Sequence, residues 1–219
     1  GFAAFDVDNT YYYLNEIPFS DHGALLDPPT SDVSARCTGF LALYGNPEQQ
    51  DSMKQGLSYL FNEQEPSGAW FGRWGSNYIY GTWSVLEAFR LAKIDTSHES
   101  IIRAAKWLKS VQREDGGWGE NNDTYFAPKL AGLFRTSTSF QTAWALLGLM
   151  AAGETHSEEV SKGIKYLLSR QDNNGLWDDP WFTAPGFPRV FYLKYHGYSK
   201  YFPLWALARY KAFTQKDIR

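Results

Sequence analysis

Asp32 and Arg36, in SDVSAR, place a carboxylate and a guanidinium four residues apart. On a helix that spacing puts both on one face. It fits an exposed ion pair worth ~0.2–0.5 kcal/mol. Asp6 and Asp8, in DVDN, form a second carboxylate pair. In a loop such a pair can converge on a metal or share a proton, but Asx turns use the same residues and are the plainer reading. Zinc at Asp32 and Cys37 fails on geometry, since five residues of helix turn the side chains about 140° apart. Cys37 reads instead as a small core residue. His22, His98, His156 and His196 form no ligand pair, and no phosphate loop or nucleophile elbow is present.

The other candidate chemistry is aromatic. The chain holds 9 Trp, 14 Tyr and 15 Phe, more than an ordinary core needs. They are densest in Trp70-Phe71-Gly72-Arg73-Trp74-Gly75 and Asn77-Tyr78-Ile79-Tyr80-Gly81. Successive rings on an irregular, glycine-containing loop cannot all face one core, so some line a cavity. A cavity walled by rings and poor in charge suits an apolar ligand or a carbocation, which ring faces stabilise without attacking it.

Composition narrows the classes further. A hydrophobic fraction of 43% fills a core, and a net charge of −3 offers no field for a polyanion, so nucleic acid is not an expected partner. The single cysteine and the lack of a basic-then-apolar leader point to a reducing, cytoplasmic compartment. No run of 18 apolar residues exists to span a bilayer, although attachment to its surface stays open.

The elements that must carry these residues show a threefold repeat: 54–70, 103–118 and 162–177. In each, an aromatic-Leu pair (Tyr59-Leu60, Trp107-Leu108, Tyr166-Leu167) precedes a Gln five residues after its aromatic. Gly and Trp follow that Gln at four and six residues: Gln64/Gly68/Trp70, Gln112/Gly116/Trp118, Gln171/Gly175/Trp177. Apolar residues before the Gln keep helical spacing, as in Ile164, Leu167 and Leu168, and a polar stretch then stops the helix. The Trp lands past the helix end, where the Gln amide can bond the indole or the open end of a neighbouring helix. Partner helices are expected at Tyr80–Ala92, Thr138–Ala152 and Ser31–Tyr44. Strand-like alternation is scarce. The pattern predicts an all-α chain of paired helices, an α-α toroid, as one domain over 1–219, with residues 1–30 an ordered irregular loop. Phe187 to Phe213 carries ten aromatics, five Lys/Arg and no acidic residue, so it is not a plain solvated helix.

The threefold Gln-to-Trp pattern resembles the QW repeat of triterpene cyclases. GAWFGRWGSNYIYGTW, SFQTAWALLGLMAAG and GFPRVFYLKYHGYSKYFPLWALARY are similar to the C-terminal part of bacterial squalene-hopene cyclases, and the similarity runs from GFAAFDVDN to Lys211. The resemblance implies a cofactor-free and metal-free cyclisation of squalene or a related polyprene to hopene or hopanol. The acid of that family, a DxDD motif, lies upstream of the equivalent of residue 1. DVDN matches a separate family position, so the chain resembles the C-terminal third of a longer cyclase and is expected to be inactive alone.

Asp32 matches a position behind the acid. Arg36 matches a position, often His, that holds the acid in its active form, and Tyr80 one near its water chain. Phe5, Trp74, Phe187, Phe191, Leu193, Tyr195 and Tyr198 match cavity-lining positions; relatives usually carry Tyr in place of Phe5. Phe19 and Ser20 match the constriction of the substrate channel. The resemblance further implies peripheral attachment to a membrane face and the rest of the cyclase as partner, while apolar surface left open allows a homodimer. Two other readings fit parts of the sequence. One is a non-catalytic helical lipid-binding scaffold. The other is a carbohydrate-active α-α toroid using Asp178-Asp179, although that pair reads better as loop caps.

Overall fold

The computed structural model describes residues 1–5, 10–20 and 25–216; Asp6, Asp8 and His22 lie outside the described residues. Among the described residues seven α-helices follow one another: α1 Ser31–Tyr44, α2 Gln50–Asn62, α3 Tyr78–Leu91, α4 Glu99–Ser110, α5 Ser139–Ala151, α6 Glu158–Ser169 and α7 Tyr198–Lys216. Helices α1, α3, α5 and α7 pack side by side in that order, and α2, α4 and α6 lie against their flank. The layers follow from the sequence. The outer helices α4 and α6 each bury one apolar stripe, whereas α3 and α5 are buried along almost their whole length. This is the α-α toroid architecture.

The three repeats build three clips that share one indole bond. Each Trp indole donates to the carbonyl of the Leu in its own aromatic-Leu pair: Trp70 to Leu60 at 2.6 Å, Trp118 to Leu108 at 2.8 Å, Trp177 to Leu167 at 2.8 Å. The indole thus satisfies an orphan carbonyl at its own helix end. The Gln amide turns the other way. Gln64 Nε2 donates to Gly68 O and to Ser100 O of α4, and Gln112 Nε2 to Gly116 O and to Glu159 O of α6. Gln171 bonds only Gly175 O. The clip glycines hold φ between 76° and 98°. A Cβ on Gly68 or Gly116 meets a backbone carbonyl of the next helix at 2.7 or 2.9 Å, while one on Gly175 meets only Gln171 Nε2, at 3.9 Å.

The second and third clips are each followed by an acid that caps a helix of the inner row, whereas Gly72 stands at that place after the first. Glu120, two residues past Trp118, accepts from the backbone N–H of Asn77 and Ile79 at the start of α3. Asp179, two residues past Trp177, accepts from the N–H and hydroxyl of Ser139 at the start of α5. Both carboxylates are buried at helix N-termini, where the backbone N–H groups and the dipole favour them. Asp179 is therefore a cap.

Within the all-α class, one small antiparallel hairpin, β1 Ala184–Phe187 and β2 Phe191–Leu193, precedes α7. One expectation is corrected: Cys37 is half-buried on α1 and stands outside the core cluster. Leu168 keeps its helical position and faces outward. The aromatic tail divides between the hairpin and α7, whose Phe202 and Trp205 pack edge-on against Trp83.

Candidate functional site

Asp32 sits in the first turn of α1 with 1% of its surface exposed. Its Oδ1 accepts from the Thr30 hydroxyl at 2.6 Å and the Val33 N–H at 3.1 Å, and its Oδ2 from the Trp74 N–H at 2.7 Å. Burial raises its pKa, opposed by those hydrogen bonds. The reading of Asp32 and Arg36 as an exposed i,i+4 pair is thus overturned. Each finds partners elsewhere. The Arg36 guanidinium lies 4.3 Å from the Trp83 ring centroid and 5.8 Å from that of Tyr80, and it donates to Ser84 Oγ at 3.4 Å. Ser84 in turn donates to Tyr80 O.

Asp32, Arg36, Trp74 and Tyr80 together with Ala4 and Val33 line one open cavity of about 370 Å³. Its other polar atoms are few. The Tyr80 phenol is pushed up by burial, with the Arg36 charge pulling the other way. Tyr198 is likewise raised by burial and lies within electrostatic reach of Tyr80 and Arg36. A chain of ring contacts runs on from Tyr80: Tyr80 meets Trp144 at 5.0 Å, Trp144 meets Tyr198 at 5.8 Å, and Tyr198 meets Tyr195 at 4.9 Å.

Other residues singled out in the sequence are placed separately. Phe187 and Phe191 face each other across the hairpin at 5.8 Å, and Leu193 stands at its end, partly exposed. Phe5 follows the lining residue Ala4 and is partly exposed. Phe19 and Ser20 lie in the 17–20 turn, away from the cavity lining, with Phe19 84% exposed.

Trp83 and Trp144 were not singled out, yet they underlie the site as a parallel stack 6.0 Å apart. Their sequence signal was the spacing of Tyr80, Trp83 and Ser84 on one helix. The tryptophans divide by their N–H groups: those of the clips cap helices, while the indole N–H groups of Trp74, Trp83 and Trp144 have no hydrogen-bond partner. The site tryptophans thus contribute ring faces rather than donors.

The loop that presents Trp74 is clamped from residues 120–125. Tyr125 Oη contacts Gly72 O at 2.8 Å and Gly75 O at 3.0 Å, Asn77 Nδ2 donates to Thr124 Oγ1, and Ser76 Oγ bonds Asn122. Burial lifts the Tyr125 phenol well above its ordinary pKa, so it stays protonated as a donor.

The sequence profile of the squalene-hopene cyclase C-terminal domain matches residues 1–212. The chain belongs to this family. Squalene-hopene cyclase of Zymomonas mobilis is 58% identical over 96% of this chain and 32% of its own length. That of Bradyrhizobium diazoefficiens is 56% identical over 100% and 33%, and that of Alicyclobacillus acidocaldarius 44% identical over 96% and 33%. The chain thus spans about a third of the length of these squalene-hopene cyclases. Among solved structures, ent-copalyl diphosphate synthase from Streptomyces platensis aligns with a TM-score of 0.55 at 19% identity, over 84% of this chain and 32% of its own. The type II terpene cyclase MstE from Scytonema aligns at 0.52 and 24%, over 73% and 42%. These two share the fold of this chain.

Proposed function

We propose that this chain, within a longer protein, forms the aromatic part of the cavity in which squalene or a related polyprene is protonated and cyclised to hopene or hopanol. The observation that carries the reading is the gathering of Asp32, Arg36, Trp74 and Tyr80 around one cavity completed by Ala4 and Val33. The proton comes from an acid outside this chain. Arg36, fixed over Trp83, faces that acid as a permanent cation and strengthens it as a donor. Asp32 stands behind it, and Tyr80 borders the path by which the proton is replaced.

Each double bond in turn attacks the cation, forming a carbon–carbon bond and moving the charge along the chain. The last cation loses an adjacent proton or captures water. Trp74, Phe187, Phe191, Tyr195 and Tyr198 present ring faces to these charges, each desolvated contact worth about 1–2 kcal/mol. Holding the polyene folded in a dry cavity supplies most of the rest. No cofactor or metal enters. Phe5 and Leu193 shape the wall, and Phe19 with Ser20 narrows the access path.

Peripheral contact with a cytoplasmic membrane face is supported by the exposed Tyr11, Tyr12, Tyr13 and Phe19. Among the described residues no helix is long and apolar enough to cross a membrane. The exposed Phe40, Leu43 and Tyr44 of α1 receive the remaining polypeptide, with a second copy as the alternative cover. The test is turnover of squalene by the full-length protein, read by gas chromatography and mass spectrometry. Pentacyclic product is expected. Binding of squalene without any conversion favours the lipid-binding scaffold and defeats the proposal.

A further inference from the structure

The turn between β1 and β2 breaks a local rule. Val190 N–H donates to Phe187 O at 3.0 Å, Pro188 occupies the second position, and Arg189 at the third holds φ 71°. A proline followed by a positive φ defines a type II turn, whose third position belongs to Gly or Asn because a Cβ there is strained. Arginine is among the last residues expected. Strain of this kind persists where the surroundings hold it in place.

The hold is in the Arg189 side chain. Its Nε donates to Tyr125 O at 2.7 Å, and its guanidinium lies 5.8 Å from the Phe126 ring centroid. The Arg189 N–H is itself bonded by Tyr192 Oη, and the Tyr192 ring stacks on Tyr125 at 6.1 Å. Tyr125 is the residue whose hydroxyl grips Gly72 O and Gly75 O on either side of Trp74. Arg189 therefore ties the hairpin bearing Phe187 and Phe191 to the clamp that sets Trp74. Two ring-bearing walls meet at one residue.

The geometry points to Arg189 as a positioning residue that sets the hairpin against the Trp74 loop and thereby the partition among cyclisation products. This rests on the cyclase reading above. At every intermediate the cation is either attacked by the next double bond or loses an adjacent C–H proton to water, leaving an alkene with fewer rings. Ring faces displaced from the developing charge favour the second path, and small displacements have large kinetic effects.

The test uses the full-length protein with squalene and compares product ratios, which do not depend on how much protein is folded. Arg189→Gly removes the side chain and relieves the turn, so the hairpin keeps a favoured backbone. The incompletely cyclised share is expected to rise at least about threefold, with Arg189→Lys closer to the wild type because it retains a donor for Tyr125 O. A wild-type ratio in Arg189→Gly overturns the inference. If that variant is too unstable to assay, Arg189→Lys is compared with Arg189→Met, and equal ratios in the two overturn it. A wild-type protein that leaves squalene untouched sinks the cyclase reading instead.

Discussion

The Trp74 backbone N–H and the Asp32 carboxylate meet at 2.7 Å across 42 residues of chain, pinning the aromatic loop to the first turn of α1. The bond makes Asp32 a structural acid as well as a site residue. Burial raises its pKa above the ordinary 3.8, so the folded state holds the proton more tightly than the unfolded one. Its stabilising contribution is complete below 3.8 and is lost as the pH climbs through the raised value. Wild type therefore gains thermal stability relative to Asp32→Asn as the pH is lowered from neutral. Melting curves of both proteins across that range check this, since the other buried acids are common to the two. Parallel curves contradict it.

The clips give a graded set of substitutions. Gln112→Ala removes two hydrogen bonds, one of them to a neighbouring helix, and is expected to cost about 1–2 kcal/mol. Gln171→Ala removes one exposed bond within its own loop and should cost about 0.5 kcal/mol or less. Gly116→Ala adds a clash with Lys162 O to the positive-φ strain, so it exceeds Gly175→Ala, where strain alone costs about 1 kcal/mol. Urea denaturation of the four variants ranks them.

A guanidinium as a side-chain type keeps its charge across the working pH range, whereas an unperturbed imidazole loses it near 6.5. In the full-length protein, Arg36→His is expected to lose turnover about tenfold from pH 6 to 8 relative to wild type. The groups facing this position are Asp32, Tyr80, Trp83, Ser84 and, within electrostatic reach, Tyr198. The pH profile of squalene conversion decides it: the same profile in both proteins removes Arg36 from the proton chemistry.

Helix α7 is tied to α3 by Glu87, which accepts from Arg209 at 2.6 and 2.9 Å and from Arg90 at 2.8 and 3.1 Å. Burial pushes its pKa up, but the two guanidiniums prevail and hold it below 4.5. Glu87 thus stabilises the fold above 4.5, and that stability is lost as the pH falls through its lowered value. Arg209→Met is expected to cost about 3 kcal/mol at neutral pH. The gap from wild type narrows in acid. Chemical denaturation at neutral and acid pH measures both effects.

The helices were legible because their signal is local. Ser31–Tyr44 was read to the residue, and α5 lies within a residue of its expected ends. The clips were legible as a spacing, but not their bonding: the indole returns ten residues to its own helix and the Gln reaches 36 or 47 residues ahead. The hairpin was missed because Ala-Pro-Gly-Phe has no alternating pattern and each strand is only three or four residues long. The sequence placed Asp32 beside Arg36 by helical spacing, whereas burial by a distant loop separates their partners. Trp83 went unnoticed because a buried tryptophan in an apolar helix looks like packing until a guanidinium is found above it.

Glu120 and Asp179 cap helices that began one clip earlier, so neither α3 nor α5 has its N-terminal acid until the following clip has folded. A repeat array whose units close themselves can peel from one end. This one trades such piecemeal opening for mutual dependence, and losing either acid loosens a neighbour rather than its own loop.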